Sequence, residues 1–208
     1  MNCTTMGSIG GNFMTKTNDK QQQIQKLVLG AVFTALVVIL QLLGSFIKLG
    51  PFSISLVLVP IVLGAAMCDY KIGAWLGFVF GFVVILSGDA APFFAINVPG
   101  TIITVLAKGT LCGLFAGLTY KLLEKYNRYL AVMVSAVVCP VVNTGVFLIG
   151  CSIFFLKDIA AWGVAEGFSN VVAYMFLGLA GGNFIFELIT NIILAPVILR
   201  VMSFKKDK

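Results

Sequence analysis

Apolar residues gather in six stretches of this chain, at 27–47, 52–68, 72–87, 98–123, 129–156 and 183–204, with polar or charged residues at the breaks. A helix needs about 20 predominantly apolar residues to cross a bilayer, within a range of about 17–25. The first, fourth, fifth and sixth stretches meet that length. The second and third are short, and only Cys68-Asp69-Tyr70-Lys71 separates them. They predict a hairpin of short helices, or helices that run a little past these limits. Between 158 and 182 the pattern is mixed: Phe168 to Leu179 is apolar, but Ser169, Asn170 and Gly178 interrupt it and Gly181-Gly182 stops it. Residues 1–25 are polar and rich in Gly, Asn, Thr and Gln, which predicts a flexible tail with little to bury. A signal peptide would carry its apolar core near the start. Here the first apolar run comes late and is long enough to span, so it is expected to be retained.

Composition turns these stretches into membrane spans. The chain is 60% hydrophobic and 11% charged, with a mean hydropathy of +1.05. A soluble domain has roughly a quarter of its residues charged, so this chain cannot cover its apolar surface with polar groups and must turn it toward lipid. The net charge of +6 sits at the ends of apolar segments, which is an orientation signal in a membrane protein and no sign of a nucleic-acid partner. With six spans and the N-terminus inside, Lys16, Lys20, Lys26, Lys71, Lys121, Lys125, Arg128, Arg200, Lys205, Lys206 and Lys208 all fall in the cytoplasm. Only Lys48 and Lys157 fall outside, and Lys108 lies within a span. A further crossing at 168–180 would carry the basic C-terminus outward and spoil this bias. Residues 158–182 are therefore expected on the outer face, as a loop with a short helix packed on the bundle. The expected fold is all-α: a polytopic membrane protein, a bundle of six transmembrane helices with both termini cytoplasmic. Its parts are a flexible tail over 1–25, a transmembrane substrate-binding domain over 26–204 and a basic tail over 205–208.

Several chemistries are excluded. There is no histidine, and the five cysteines are scattered with no CxxC pair, so neither a disulfide framework nor a metal site is expected. No paired carboxylates lie close together and no GxxxxGK[ST] run is present, so no enzyme, no cofactor and no P-loop ATP site is expected. Small residues form three stripes: Gly73, Gly77 and Gly81; Gly109, Gly113 and Gly117; and Ala31 with Ala35 beside Gly30. A spacing of four puts each set on one helix face, where a second backbone can approach, either within the bundle or from a partner.

The polar residues inside the spans are the candidate site. An ionisable group at a helix centre costs about 2.5–3.5 kcal/mol on insertion scales and by default marks function. Asn97, Thr101, Thr104 and Lys108 form one helical stripe on the fourth span; Asn183, Glu187, Thr190 and Asn191 form another on the sixth. On the fifth, Ser135, Cys139 and Asn143 line up beside Pro140. Turned toward one another, these edges would line an outward-opening cavity beneath the loops 88–97 and 158–182. Asp89, Phe93 and Phe94 in the first loop would supply an acid and aromatics as a lid, with Trp162 and Phe168 either serving similarly or acting as interfacial anchors. The candidate substrate-binding residues are Asp89, Asn97, Thr101, Thr104, Lys108, Asn143, Asn183, Glu187 and Asn191. Lys108 and Glu187 either face a ligand or pair with each other.

The size, the six predicted spans and the missing ATPase motif resemble the substrate-specific S components of energy-coupling factor (ECF) transporters. The pair Ala31 and Ala35 is similar to that family's Ala-xxx-Ala motif. The run Phe52 to Ala65, followed by Gly73, Gly77 and Gly81, is similar to the second and third spans of vitamin-type members. The resemblance covers residues 24–204. It implies capture of a vitamin or precursor from outside and toppling in the membrane to release it inward, driven by a transmembrane T subunit and two cytoplasmic ATPases. It also implies that Ala31 and Ala35 face the T subunit, and that substrate lies among the fourth, fifth and sixth spans. The stretch Ser55 to Pro60 is nearest to pantothenate- or hydroxymethylpyrimidine-type members, and Lys108 suits a carboxylate such as pantothenate's; riboflavin, a folate or another heterocycle stays open. So do two other classes: a stand-alone secondary transporter that uses Lys108 and Glu187 for proton coupling, and a non-transporting membrane assembly subunit.

Overall fold

The computed structural model describes the backbone of residues 8–45, 48–49, 52–53 and 56–204, and the side chains of 20–45 and 56–202. The expected basic tail over 205–208 and the first seven residues of the expected N-terminal tail lie outside the described residues. Among the described residues, five helices are long and apolar enough to cross a membrane. They belong to α1 (Ser8–Ser45, whose apolar run begins at Leu27), α3 (Tyr70–Ser87), α5 (Val98–Leu123), α6 (Arg128–Phe154) and α9 (Gly181–Phe204). Large apolar side chains on their outward faces, among them Leu27, Leu43, Leu86, Ile153 and Ile193, are exposed on the bundle, as a lipid-facing surface requires.

Local sequence sets the helix starts. Asp69 accepts from the Tyr70 backbone N–H at 2.8 Å before α3, Asn97 from Gly100 at 3.0 Å before α5, and Asn127 from Tyr129 at 2.8 Å before α6. These caps satisfy N–H groups that have no partner inside the helix. Gly88, with φ of 78°, ends α3 in the left-handed region that glycine enters without strain.

The second expected span, over 52–68, takes a different form. A strand pair, β1 (Lys48–Leu49) and β2 (Phe52–Ser53), leads into α2 (Leu58–Met67), a helix of 10 residues. At about 1.5 Å per residue α2 covers about half of a hydrocarbon core. Pro60 supplies the physical reason. It sits comfortably in a first helical turn, but its ring would collide with the carbonyl four residues back if the helix began earlier. The short helix lies inside the bundle: Leu58, Pro60, Ile61, Val62, Gly64 and Ala65 are all buried.

The two glycine stripes pair with each other. A methyl at Gly73 would stand 2.6 Å from the Gly113 carbonyl oxygen, one at Gly81 would stand 2.7 Å from that of Val105, and Gly77 and Gly109 touch more closely still. Helices α3 and α5 therefore run antiparallel in backbone contact. Gly30 is buried against Ile72, whereas Ala31 and Ala35 face outward from α1.

Residues 158–182 hold none of the five spans. They form most of α7 (Leu156–Ala165), then α8 (Val171–Ala173) and a π-helical turn over Tyr174–Leu179 that leads into α9. Ile159, Tyr174, Met175 and Leu179 join Phe93, Leu148, Cys151 and Phe155 in a small core of their own, so this segment caps one end of the bundle.

Substituting Gly77→Ala is expected to lower stability by about 1–3 kcal/mol, as overpacking does, read as the thermal midpoint of the detergent-solubilised protein. Gly145→Ala, whose added methyl meets nothing within 4 Å, should leave the midpoint in place. Equal midpoints for the two variants would show that α3 and α5 do not depend on close approach.

Candidate ligand-binding site

Beneath this cap lies a cavity of about 70 Å³. Six parts of the chain reach it: Gln41 of α1, Phe80 and Val84 of α3, the turn at Asp89 and Ala90 with Phe93 of α4 (Ala91–Phe94), Val105 and Lys108 of α5, Asn143, Thr144 and Phe147 of α6, and Leu179 to Glu187 at the start of α9. Phe93 forms its roof. Its ring meets Phe147, Phe155 and Trp162 edge-on at centroid distances of 5.6, 5.2 and 5.7 Å.

Two carboxylates flank the cavity, and the protein holds both. Glu187 is 1% exposed and accepts from Asn183 Nδ2 at 3.0 Å and Asn143 Nδ2 at 3.3 Å. Asp89 Oδ2 accepts from Gln41 Nε2 at 2.8 Å, Ser45 Oγ at 2.9 Å and Ser87 Oγ at 3.1 Å. These bonds tie the turn after α3 to the end of α1. An ionised carboxylate in a low-dielectric site needs such donors, because burial without them costs several kcal/mol.

Lys108 has no such set. Among the described residues it makes no hydrogen bond and no ion pair within 4.0 Å; its Nζ stands 5.1 Å from the ring centre of Phe147 and 5.8 Å from that of Phe80. Ring faces attract a cation, though more weakly than an anion does in the same place. Lys108 and Glu187 thus line one cavity without a direct ion pair among the described residues.

Of the nine residues expected at the site, Asp89, Lys108, Asn143, Asn183 and Glu187 come together there. Asn97, Thr101, Thr104 and Asn191 do not line the cavity. Asn97 caps α5, and Thr101 Oγ1 donates to its carbonyl at 2.8 Å. Thr104 is buried beneath Gly150 of α6, where a methyl would stand 2.9 Å from its Cβ. Asn191 Nδ2 donates to the Glu187 carbonyl at 2.8 Å. The α5 stripe is a true helical face, but α6 covers its upper part directly and leaves room only at the level of Lys108. On α6, Ser135 and Cys139 are core residues, and of that stripe only Asn143 lines the cavity. The residue that sequence patterning missed is Gln41, 2% exposed. Its signal was present: an amide in the middle of the apolar run 27–47. Among the described residues, no three His, Cys, Asp or Glu side chains stand together as a metal site would need.

A model of the family described as ECF transporter, substrate-specific component, matches residues 25–202. That is most of the chain, and the protein belongs to this family. It is a multi-pass membrane protein and a transporter subunit of the kind that binds a substrate and works with T and ATPase partners. No curated protein and no solved structure gives a significant match.

Replacing Asp89 by alanine leaves the buried Gln41 NH2 group without its acceptor, while the Ser45 and Ser87 hydroxyls keep the backbone carbonyls of Gln41 and Val84. The expected loss is about 1–3 kcal/mol, seen as a lower thermal midpoint in detergent. Glu166→Ala, at an exposed position near the end of α7, should stay within about 0.5 kcal/mol of the parent.

Proposed function

We propose that this chain, as the substrate-specific component of an ECF transporter, captures a water-soluble vitamin or vitamin precursor at its capped end for ATP-driven uptake. The observation that carries this reading is the meeting of Lys108, Glu187, Asp89, Asn143 and Asn183 in one cavity of an otherwise apolar bundle. Groups so costly to insert are retained where they bind something polar. Pantothenate- and pyrimidine-type substrates are favoured over riboflavin or folate.

The capped end is read as the outer one, because Lys121, Lys125, Arg128 and Arg200 lie toward the opposite ends of their helices. Below the cavity the bundle is filled by Ile61, Leu76, Cys112, Ala116, Val132 and Ala136, all buried. A bound substrate therefore has no polar route through the bundle, and its release inward calls for reorientation of the whole subunit. A T subunit would drive this, powered by two cytoplasmic ATPases. Its helices would pack on the flat strip at Ala31 and Ala35, which is exposed on α1 between Val28, Val32 and Leu36. Small residues at such a strip permit close helix contact in lipid.

Co-purification tests the assembly: a stable complex with a T subunit and two ATPases is expected. Proton-driven uptake by the isolated chain, indifferent to ATP, would reject it. Ala31→Trp and Ala35→Trp should preserve substrate binding and impair uptake. Overpacking of about 1–3 kcal/mol at a close contact corresponds to a roughly 5- to 100-fold loss of complex. Unchanged uptake in both variants would remove this strip from the docking surface.

A further inference from the structure

Two amides beside the cavity share one arrangement. Gln41 gives its NH2 group to Asp89, and Asn143 gives its NH2 group to Glu187. A carboxylate only accepts, so each acid fixes which end of its amide it holds. The carbonyl oxygens left over, Gln41 Oε1 and Asn143 Oδ1, have no hydrogen-bond partner among the described residues, although the two side chains are only 2% and 3% exposed. Thr104 Oγ1, Ser135 Oγ and Asn191 Oδ1 are also without a partner among the described residues, but of these five residues only Gln41 and Asn143 line the cavity. Both residues line the cavity, and so does Lys108, whose ammonium has ring faces around it and no acceptor among the described residues.

We infer that the substrate of this cavity is a compact organic anion carrying at least two N–H or O–H donors. The anionic group faces Lys108, and the donors supply Gln41 Oε1 and Asn143 Oδ1. The inference rests on the reading of this cavity as the substrate site and narrows its chemistry. A cation would face the ammonium of Lys108 in the same cavity, while Asp89 and Glu187 already take hydrogen bonds from protein amides and hydroxyls. A neutral aminopyrimidine could meet the two carbonyls but would bring Lys108 no anionic oxygen, and among the described residues none lies within 4.0 Å of it. A free volume of about 70 Å³ suits a small molecule better than a flavin or a folate, whose fused rings would displace several walls at once. A hydroxylated amide carboxylate such as pantothenate carries one anion and three donors in a short chain.

Each donor also has a consequence for the fold. The ligand's bond to Gln41 would bear on the residue that ties α1 to the turn at Asp89, so occupancy of the cavity and closure of that turn are linked through one side chain.

The test is calorimetric titration of the purified full chain in lipid nanodiscs with four probes. These are pantothenate; panthenol, which keeps the amide and hydroxyls but replaces the carboxylate by a hydroxymethyl group; 4-amino-5-hydroxymethyl-2-methylpyrimidine; and riboflavin. Pantothenate is expected to bind best, with panthenol about 10- to 100-fold weaker, the range of a charge-assisted hydrogen bond. Lys108→Gln should bring pantothenate down to the level of panthenol and leave panthenol unchanged, with the thermal midpoint confirming that the variant is folded. Binding of panthenol, the pyrimidine or riboflavin as tightly as pantothenate would overturn the inference and leave the transporter reading standing. Equal loss of pantothenate and panthenol in Lys108→Gln would also overturn it. If no probe binds, mass spectrometry of small molecules retained by the purified protein decides. A retained anion with two or more donors supports the inference, and a retained neutral or cationic compound overturns it. With neither a bound probe nor a retained compound, the cavity is no substrate site and the underlying reading fails as well.

Discussion

Hydrocarbon offers helices no hydrophobic reason to associate, so a bundle in a bilayer depends on how closely backbones can approach. Here that approach occurs between α3 and α5, where Gly73 lies on Gly113, Gly77 on Gly109 and Gly81 on Val105. A side chain at any of these glycines would push the helices apart. The contact does more than join two spans. It runs up to the level of the cavity and places Phe80 and Val84 of one helix opposite Val105 and Lys108 of the other.

Around that wall the protein solves the problem of keeping charge out of water by assigning each carboxylate its own donors. Asn143 and Asn183 serve Glu187; Gln41, Ser45 and Ser87 serve Asp89. Because the donors come from α1, α3, α6 and α9, the same bonds that lower the cost of burial hold the mouth of the cavity together. A fully satisfied buried network specifies one arrangement of its elements, and a partly satisfied one invites a partner. The cavity has both characters: among the described residues its acids have hydrogen-bond donors, while Lys108 and two amide carbonyls have no hydrogen-bond partner.

The remainder of the chain divides into a filled base and a separate cap. The base is mostly apolar, with Ser135 and Asn191 as buried polar residues in it, and includes the buried short helix α2, which completes the packing where no full-length span is present. The cap, built from α7, the π-helical turn and Phe93, has its own small core. That core also takes in Leu148 and Cys151 of α6, so the cap is packed onto a full-length span.

Composition and hydropathy alone determined that this is a membrane protein of several helices. They located all five full-length spans, because the need to bury twenty or so backbone groups in lipid is written directly as apolar length. Spacing showed that the glycines form helical faces, and the cost of burial singled out Lys108 and Glu187. Tertiary structure decided the rest. Whether the glycine stripes meet each other or a partner depends on which helices are neighbours, which periodicity within one helix cannot express. The same limit explains why Thr101 and Thr104 share the face of Lys108 yet are covered by α6. Gln41 shares a helical face with Thr34 and Ser45, but only the fold brings Asp89 within its reach. The second span was shortened because Pro60 restricts where a helix can begin, and the bundle had room for a short helix inside it.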